Sequence, residues 1–253
     1  MERIKIYLRH KILGLIKFIL DNAGNDLNKL RDNTYLELER IVYRDSAQFL
    51  ADNIGKAVLF SDDVEFWTHA LEAAPKNGLV LEFGVYGGRS INIFADVLKR
   101  NADSRTIYGF DSFEGLSEDF SGTTMSKGTF SLGGQLPDVA PNVELIKGWV
   151  DQTLPGFVEE KSEDLAFMNV DFDTYTPTKI VFENLISRIQ EGSVIVFDEL
   201  IGFPGWREHE YKVLIEMMPE NYEYEFIGFC QKMVPQYLGS YVKAAIRISK
   251  IHT

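Results

Sequence analysis

The chain has 253 residues, enough for one sizeable α/β domain with a complete core. Hydrophobic residues make up 45% and charged residues 25%, the balance of a soluble globular protein. With 26 basic against 38 acidic residues, the formal net charge is -12. That argues against nucleic-acid binding, which needs a basic face to neutralise phosphates, but leaves room for a small anionic substrate in a local pocket.

Taken in chain order, "MERIKIYLRHKILGLIKFILDN" repeats Ile4, Leu8, Ile12, Leu15 and Ile19 at helical spacing. Arg9, His10, Lys11 and Lys17 interrupt the apolar run, so it does not read as a bilayer span. It lacks the small-residue cleavage site of a signal peptide. The expectation is an amphipathic helix over 2–20, packed on the domain or on a second copy in a homo-oligomer. Peripheral contact with a membrane surface is the alternative. Further helices are expected over 34–53 and 61–74, which makes residues 1–75 a helical cap or oligomerisation region.

From there the pattern changes. The runs "GLVLEFGV" (78–85), "TIYGFDSF" (106–113), "VELIKGWV" (143–150), "LAFMNVDF" (165–172) and "GSVIVFDEL" (192–200) read as strands. Helical stretches 89–100, 152–161, 177–190 and 207–217 fall between or after most of them. Two last runs, 222–229 and 241–248, predict an antiparallel hairpin at a sheet edge. Apolar strands alternating with helices mean a mostly parallel sheet covered on both faces, over residues 76–253. Cys230 is the one cysteine; it excludes an intrachain disulfide, reads as a small buried hydrophobe, and fits a reducing cytoplasm.

Ligands of such sheets bind along the rim of strand C-termini. Acids and glycines gather there: Glu82 and Gly84, Asp111, Gly148 and Trp149, Asp171 and Asp173, Asp198 and Glu199. The Gly-, Ser- and Thr-rich stretch 114–142 reads as a lid over this rim, with plain disorder as the alternative.

The first glycine turn is not the dinucleotide fingerprint G-x-G-x-x-G. It reads E-x-G-x-x-x-G-x-S over Glu82, Gly84, Gly88 and Ser90. Glycines there let a ligand approach the backbone. The N–H groups opening the next helix, with the Ser90 hydroxyl, suit a carboxylate, and Glu82 suits an ammonium. The set fits an amino-acid zwitterion better than a pyrophosphate. Asp111, ending the second strand, can take the hydroxyls of a ribose.

"LEFGVYGGRS" followed by "IYGFDSFEGLSE" resembles class I S-adenosylmethionine-dependent methyltransferases. "GFDSFEGL", "KGWVDQTLP", "VDFDTYTPTK" and "IVFDEL" are closer still to the macrocin O-methyltransferase family, which acts on sugars of natural products. The resemblance covers roughly residues 78–200. It implies a Rossmann-like, doubly wound sheet of seven strands, mostly parallel with one antiparallel edge strand. It also implies an S-adenosylmethionine site of Glu82, Gly84, Gly88, Ser90, Asp111 and Ser112, with the adenine near Phe113 and Trp149.

"NVDFDTY" and "VFDEL" put Asp171, Asp173, Asp198 and Glu199 at two strand ends. If the strands are neighbours, the four carboxylates converge and repel. A hard divalent cation, Mg²⁺ first and Mn²⁺ or Ca²⁺ after it, relieves this. Helix capping, or binding of the donor through water, is the other reading of these acids. The matching family positions imply Asp171, Asp198 and Glu199 as metal ligands and Asp173 as general base. Two departures stand out: Phe172 where a small residue is usual, and Glu199 where Asp is usual. His209 is a second candidate base, with an ordinary surface histidine as the plain reading. Arg207 and Lys212 could hold an anionic acceptor or simply form a solvated helix face. Tyr175 and Thr176 could shape the acceptor pocket or open the next helix.

The expected function is therefore O-methylation of a hydroxyl on a small-molecule acceptor, a sugar or glycosylated metabolite, in the cytoplasm. A nicotinamide-dependent oxidoreductase and a non-catalytic binding module are the alternatives.

Overall fold

The computed structural model describes residues 33–234 and 239–252, so the helix expected over 2–20 lies outside the described residues. The chain divides into two compact units, Met1–Ile41 and Val42–Thr253. Residues 58–74, within the region 1–75 expected as a helical cap, belong to the second unit, with β1 in its sheet and α2 in its covering layer.

The elements are α1 (Thr34–Asn53), β1 (Val58–Phe60), α2 (Asp63–Ala73), β2 (Leu79–Phe83), α3 (Arg89–Arg100), β3 (Ile107–Asp111), β4 (Val143–Lys147), α4 (Val150–Glu160), β5 (Leu165–Val170), α5 (Tyr175–Leu185), β6 (Ile189–Ile201), α6 (Glu210–Met217), β7 (Tyr222–Val234) and β8 (Gly239–Ile251). They form an eight-stranded sheet in the order β1-β7-β8-β6-β5-β2-β3-β4. β2 and β5 are buried along their whole length, which is why they read as apolar runs interrupted only by Glu82 and Asn169.

Alternate residues feed two apolar layers. Leu81, Phe83, Phe110, Met168 and Phe197 pack against α4 and α5 through Leu154, Phe157 and Phe182. Val80, Ile107, Phe167 and Val196 pack against α2 and α3 through Phe66, Trp67, Ile91 and Phe94. Truncating a fully buried ring such as Phe94 to Ala costs about 3–5 kcal/mol in a site of this kind. Asp62 starts α2 by accepting from the backbone N–H of Val64 and Glu65.

The sheet is doubly wound and mostly parallel, as expected, with two differences. An eighth strand, Val58–Phe60, pairs parallel with β7; its three residues are too few to show any alternation in the sequence. The strand running against the others, β8, lies third from the edge, between β7 and β6. The chain leaves β2 toward β3 and β4, then returns to the other side of β2 as β5. The switch in winding therefore falls between β2 and β5, and their C-terminal ends open the crevice that such sheets use for ligands. Among the described residues, no helix is long and apolar enough to cross a membrane.

Candidate active site

A cavity of about 430 Å³ opens at that crevice. Its walls come from the ends of β2, β3, β5 and β6, from the start of α4, and from the segment after β3.

The glycine turn is shaped by close backbone approach. Gly84 has φ +92, and a Cβ there would lie 1.8 Å from the Asp171 carbonyl oxygen. Asp171 N–H donates to the Phe83 carbonyl at 2.8 Å, which ties the ends of β2 and β5 together. Asp111 braces the same turn: one oxygen accepts from the backbone N–H of Val85 (2.9 Å) and Tyr86 (2.7 Å), the other from Phe113 (2.6 Å). Tyr86 and Phe113 both hold positive φ, at 45 and 59, conformations that cost energy and need such bracing.

Of the residues expected at the donor site, Gly84, Asp111, Ser112 and Trp149 line the cavity; Glu82, Gly88, Ser90 and Phe113 do not. Glu82 is fully buried and accepts the Asn169 amide at 2.9 Å. Burial pushes its carboxyl up to about 8, against the pull of the Ser90 and Asn169 hydrogen bonds. Gly88 provides the left-handed residue that starts α3, and Ser90 is buried behind it. The Phe113 ring belongs to the apolar layer beneath α3. The aromatic residues that line the cavity are Tyr86, Phe130, Trp149, Phe172 and Tyr241, with Tyr86 and Phe130 edge to face at 5.5 Å.

β5 and β6 are neighbours, so their terminal acids do meet. Asp171, Asp173 and Glu199 each offer a carboxylate oxygen within 4.8 Å of the others. Asp198 stands outside this trio and is ion-paired with the buried ammonium of Lys243. Both Asp198 and Glu199 reach the cavity because β6 is irregular there. Phe197 pairs with Ala244 and Ile201 with Val242, so Asp198, Glu199 and Leu200 face the single residue Lys243. A bulge of this kind redirects side chains that plain alternation would send to opposite faces. Burial raises the Asp171 carboxyl well above its ordinary range, and Asp198 and Asp173 add to it. Burial does the same to Glu199, with Asp198, Asp173 and Asp171 adding repulsion. Glu210, also buried and raised, accepts the Glu199 backbone N–H at 3.0 Å. Burial alone would lower Lys243, but Asp198, Glu199 and Asp171 outweigh it and hold the ammonium above its usual value.

The segment after β3 is ordered. Leu116 N–H donates to the Thr129 carbonyl at 2.9 Å, and Leu132 N–H to the Phe113 carbonyl at 3.0 Å. Leu116, Met125 and Phe130 line the cavity, as expected of a lid. His209 holds this lid rather than the cavity. Its Nε2 meets the Ser121 hydroxyl at 3.1 Å and the Ser121 carbonyl at 2.9 Å, and Phe120 stands against its ring. Burial lowers its basicity. Thr176 is bonded to the lid's Glu118 through both N–H and hydroxyl, and the Tyr175 hydroxyl donates to Glu216 on α6. Arg207 pairs with Asp45, and Lys212 with Glu208.

Residues 81–200 match a family described as a methyltransferase domain. The chain is 26% identical to "8-demethyl-8-(2,3-dimethoxy-alpha-L-rhamnosyl)-tetracenomycin-C 4'-O-methyltransferase" of Streptomyces olivaceus, over 54% of this chain and 59% of the relative. It is 28% identical to "Mycinamicin III 3''-O-methyltransferase" of Micromonospora griseorubida, over 57% of this chain and 65% of that one. The match thus spans less than two thirds of either relative. Among solved structures, the calicheamicin methyltransferase CalS11 superposes with a TM-score of 0.53 at 20% identity, over 90% of this chain and 91% of that one. The O-methyltransferase NovP gives 0.51 at 17% identity, over 74% and 79%. The chain therefore shares the Rossmann-like fold of these two structures.

Sequence reasoning missed Lys243, Tyr241 and Glu210 around the carboxylates. The signal for Lys243 was present: a lone lysine inside the apolar strand "YVKAAIRI" is a buried charge that needs a partner.

Proposed function

We propose that the protein is an S-adenosylmethionine-dependent O-methyltransferase acting on a hydroxyl of a sugar or glycosylated small molecule. The observation that carries the reading is the carboxylate trio Asp171, Asp173 and Glu199, facing a cavity at the winding switch of a methyltransferase domain. The two curated relatives, both named as O-methyltransferases, support the choice of oxygen as acceptor.

The donor lies against the Gly84 turn, where no Cβ intervenes, and along Asp111, Ser112 and Trp149. A carboxylate offers about four lone-pair sites, and Asp111 already accepts three backbone N–H groups. It has capacity for one ribose hydroxyl rather than two. Glu82 acts from beneath, stiffening the turn through Asn169.

The trio's chemistry suits a hard divalent cation: oxygen donors only, crowded, and raised in pKa by burial and mutual repulsion. Such an ion would be held by Asp171, Asp173 and Glu199 and would supply positive charge favouring the ionised acceptor hydroxyl. Asp173, which lines the cavity, would take the hydroxyl proton. The lid keeps water out while the methyl group passes in line from sulfur to oxygen. His209 has no part in this step, since it faces Ser121.

The test is calorimetric titration with S-adenosylhomocysteine, with and without Mg²⁺, followed by methyl transfer to a panel of glycosides. Binding of the product nucleoside together with methylation of a sugar hydroxyl is expected. Absence of heat in both conditions overturns the reading.

A further inference from the structure

The cavity at the carboxylates has a neighbour. A second cavity of about 350 Å³ adjoins it, and the two share Ser117, Trp149, Val150 and Pro177 in their walls. It lies where the first turns of α4 and α5 meet the lid: Asp151 and Gln152 come from α4, Thr176 from α5 and Lys127 from the lid. Asp173 lines the first cavity and Pro177 lines both, with α5 opening at Tyr175 between them. A ligand whose reacting hydroxyl faces Asp173 can therefore extend past Pro177 into the second cavity. The wall there is fixed, because the lid's Glu118 accepts the Thr176 N–H at 2.9 Å and the Thr176 hydroxyl at 2.8 Å.

From this arrangement we infer that the second cavity is an acceptor subsite for a further sugar unit, so that acceptors with at least two linked sugars are preferred. The inference rests on the proposed O-methyltransferase reading. The first cavity has to hold both the donor and the sugar being methylated, which leaves the remainder of the acceptor to the second. The lining of the second cavity selects what that remainder is. Trp149, Pro177 and Ile180 supply apolar surface, which suits the C–H face of a sugar ring. Lys127 donates, Asp151 accepts and Gln152 does both, the mixture that hydroxyls need. All three are exposed to water. A flat apolar aglycone laid over them would strip that water and return no hydrogen bonds, which is unfavourable. A phosphate would meet the Asp151 carboxylate, and an ammonium would meet Lys127. A neutral, hydroxyl-rich ring offends neither charge and satisfies both.

The test is steady-state methylation, at saturating S-adenosylmethionine with Mg²⁺ present, of three matched sets of acceptors. These are single sugars as methyl glycosides, the methyl disaccharides that carry the same sugars as their terminal unit, and the 2-naphthyl glycosides of the single sugars. The disaccharide should exceed its single sugar about tenfold in kcat/KM, the worth of one or two net hydrogen bonds, with the gain in KM. Lys127→Met and Gln152→Leu change exposed side chains, and each should cost the disaccharide about threefold or more. The double variant should bring the disaccharide down to the value of the single sugar. Equal use of both by the wild-type chain overturns the inference, as does a preference for the naphthyl glycoside. A disaccharide preference that survives in the double variant also overturns it, because the extra unit is then held elsewhere. Each of these results leaves sugar methylation itself standing. Failure to bind S-adenosylhomocysteine by calorimetry, or to methylate any glycoside, instead overturns the methyltransferase reading, and this inference with it.

Discussion

Gly84 and Asp171 touch through their backbones: a Cβ on Gly84 would sit 1.8 Å from the Asp171 carbonyl oxygen. The glycine at the proposed donor site therefore also seats the first carboxylate of the trio. Gly84→Ala forces apart the ends of β2 and β5 and strains a φ of +92. A loss of about 3 kcal/mol in stability is expected, together with loss of S-adenosylhomocysteine binding. Gly87→Ala is the control, because nothing lies within 4 Å of its would-be Cβ; its change should be about 0.5 kcal/mol or less. Thermal unfolding and titration of both variants check the contrast.

Asp111→Asn replaces an acceptor of three backbone N–H groups with a group that must turn donors toward some of them. The turn should lose about 2 kcal/mol, and affinity for S-adenosylhomocysteine should fall on the order of tenfold. Calorimetry on the purified variant measures both the affinity and the fraction of competent sites. Unchanged affinity would remove Asp111 from the donor site.

Stability should fall as pH rises across the range set by Glu82. Its carboxyl is raised by burial from 4.5 to about 8. The folded chain therefore binds more protons than the unfolded chain between those values, and stability declines as pH increases through the window. The contribution present below pH 4.5 is lost by about pH 8, on the order of 5 kcal/mol at most. Asp171 and Glu199, also raised, act in the same direction. Glu82→Gln is expected to flatten the slope, and denaturant unfolding at pH 5 and pH 8 reads the difference. An unaltered slope would show that Glu82 is not the group responsible.

His209 should affect the lid and not the chemistry. In His209→Leu the contacts to Ser121 are lost, costing about 1 kcal/mol. The lid should close less well and raise KM, while the pH profile of kcat keeps its shape. A lost acid or basic limb in that profile would return His209 to the role of base.

The parts of the site carried by local chemistry were legible before the fold was known. Gly84 marked a close backbone approach, and Asp111, Asp171, Asp173, Asp198 and Glu199 marked strand ends, because turn geometry and apolar runs are written in neighbouring residues. Phe113 holds a positive φ and its ring lies in the layer under α3, a placement that no sequence pattern announces. β1 escaped notice because a three-residue strand has no period; only its partner β7 defines it.

By itself the sequence determined the alternation of strands and helices, the mostly parallel sheet, and which strands end in acids. It could do so because burial on both faces and turn-forming glycines constrain residue types locally. Tertiary structure alone decided which acids act together. Strand pairing places Lys243 across from the β6 bulge, so Asp198 is tied to a buried ammonium while Glu199 joins Asp171 and Asp173. The register between strands far apart in the chain sets that choice, and register is a property of the folded sheet rather than of any one segment.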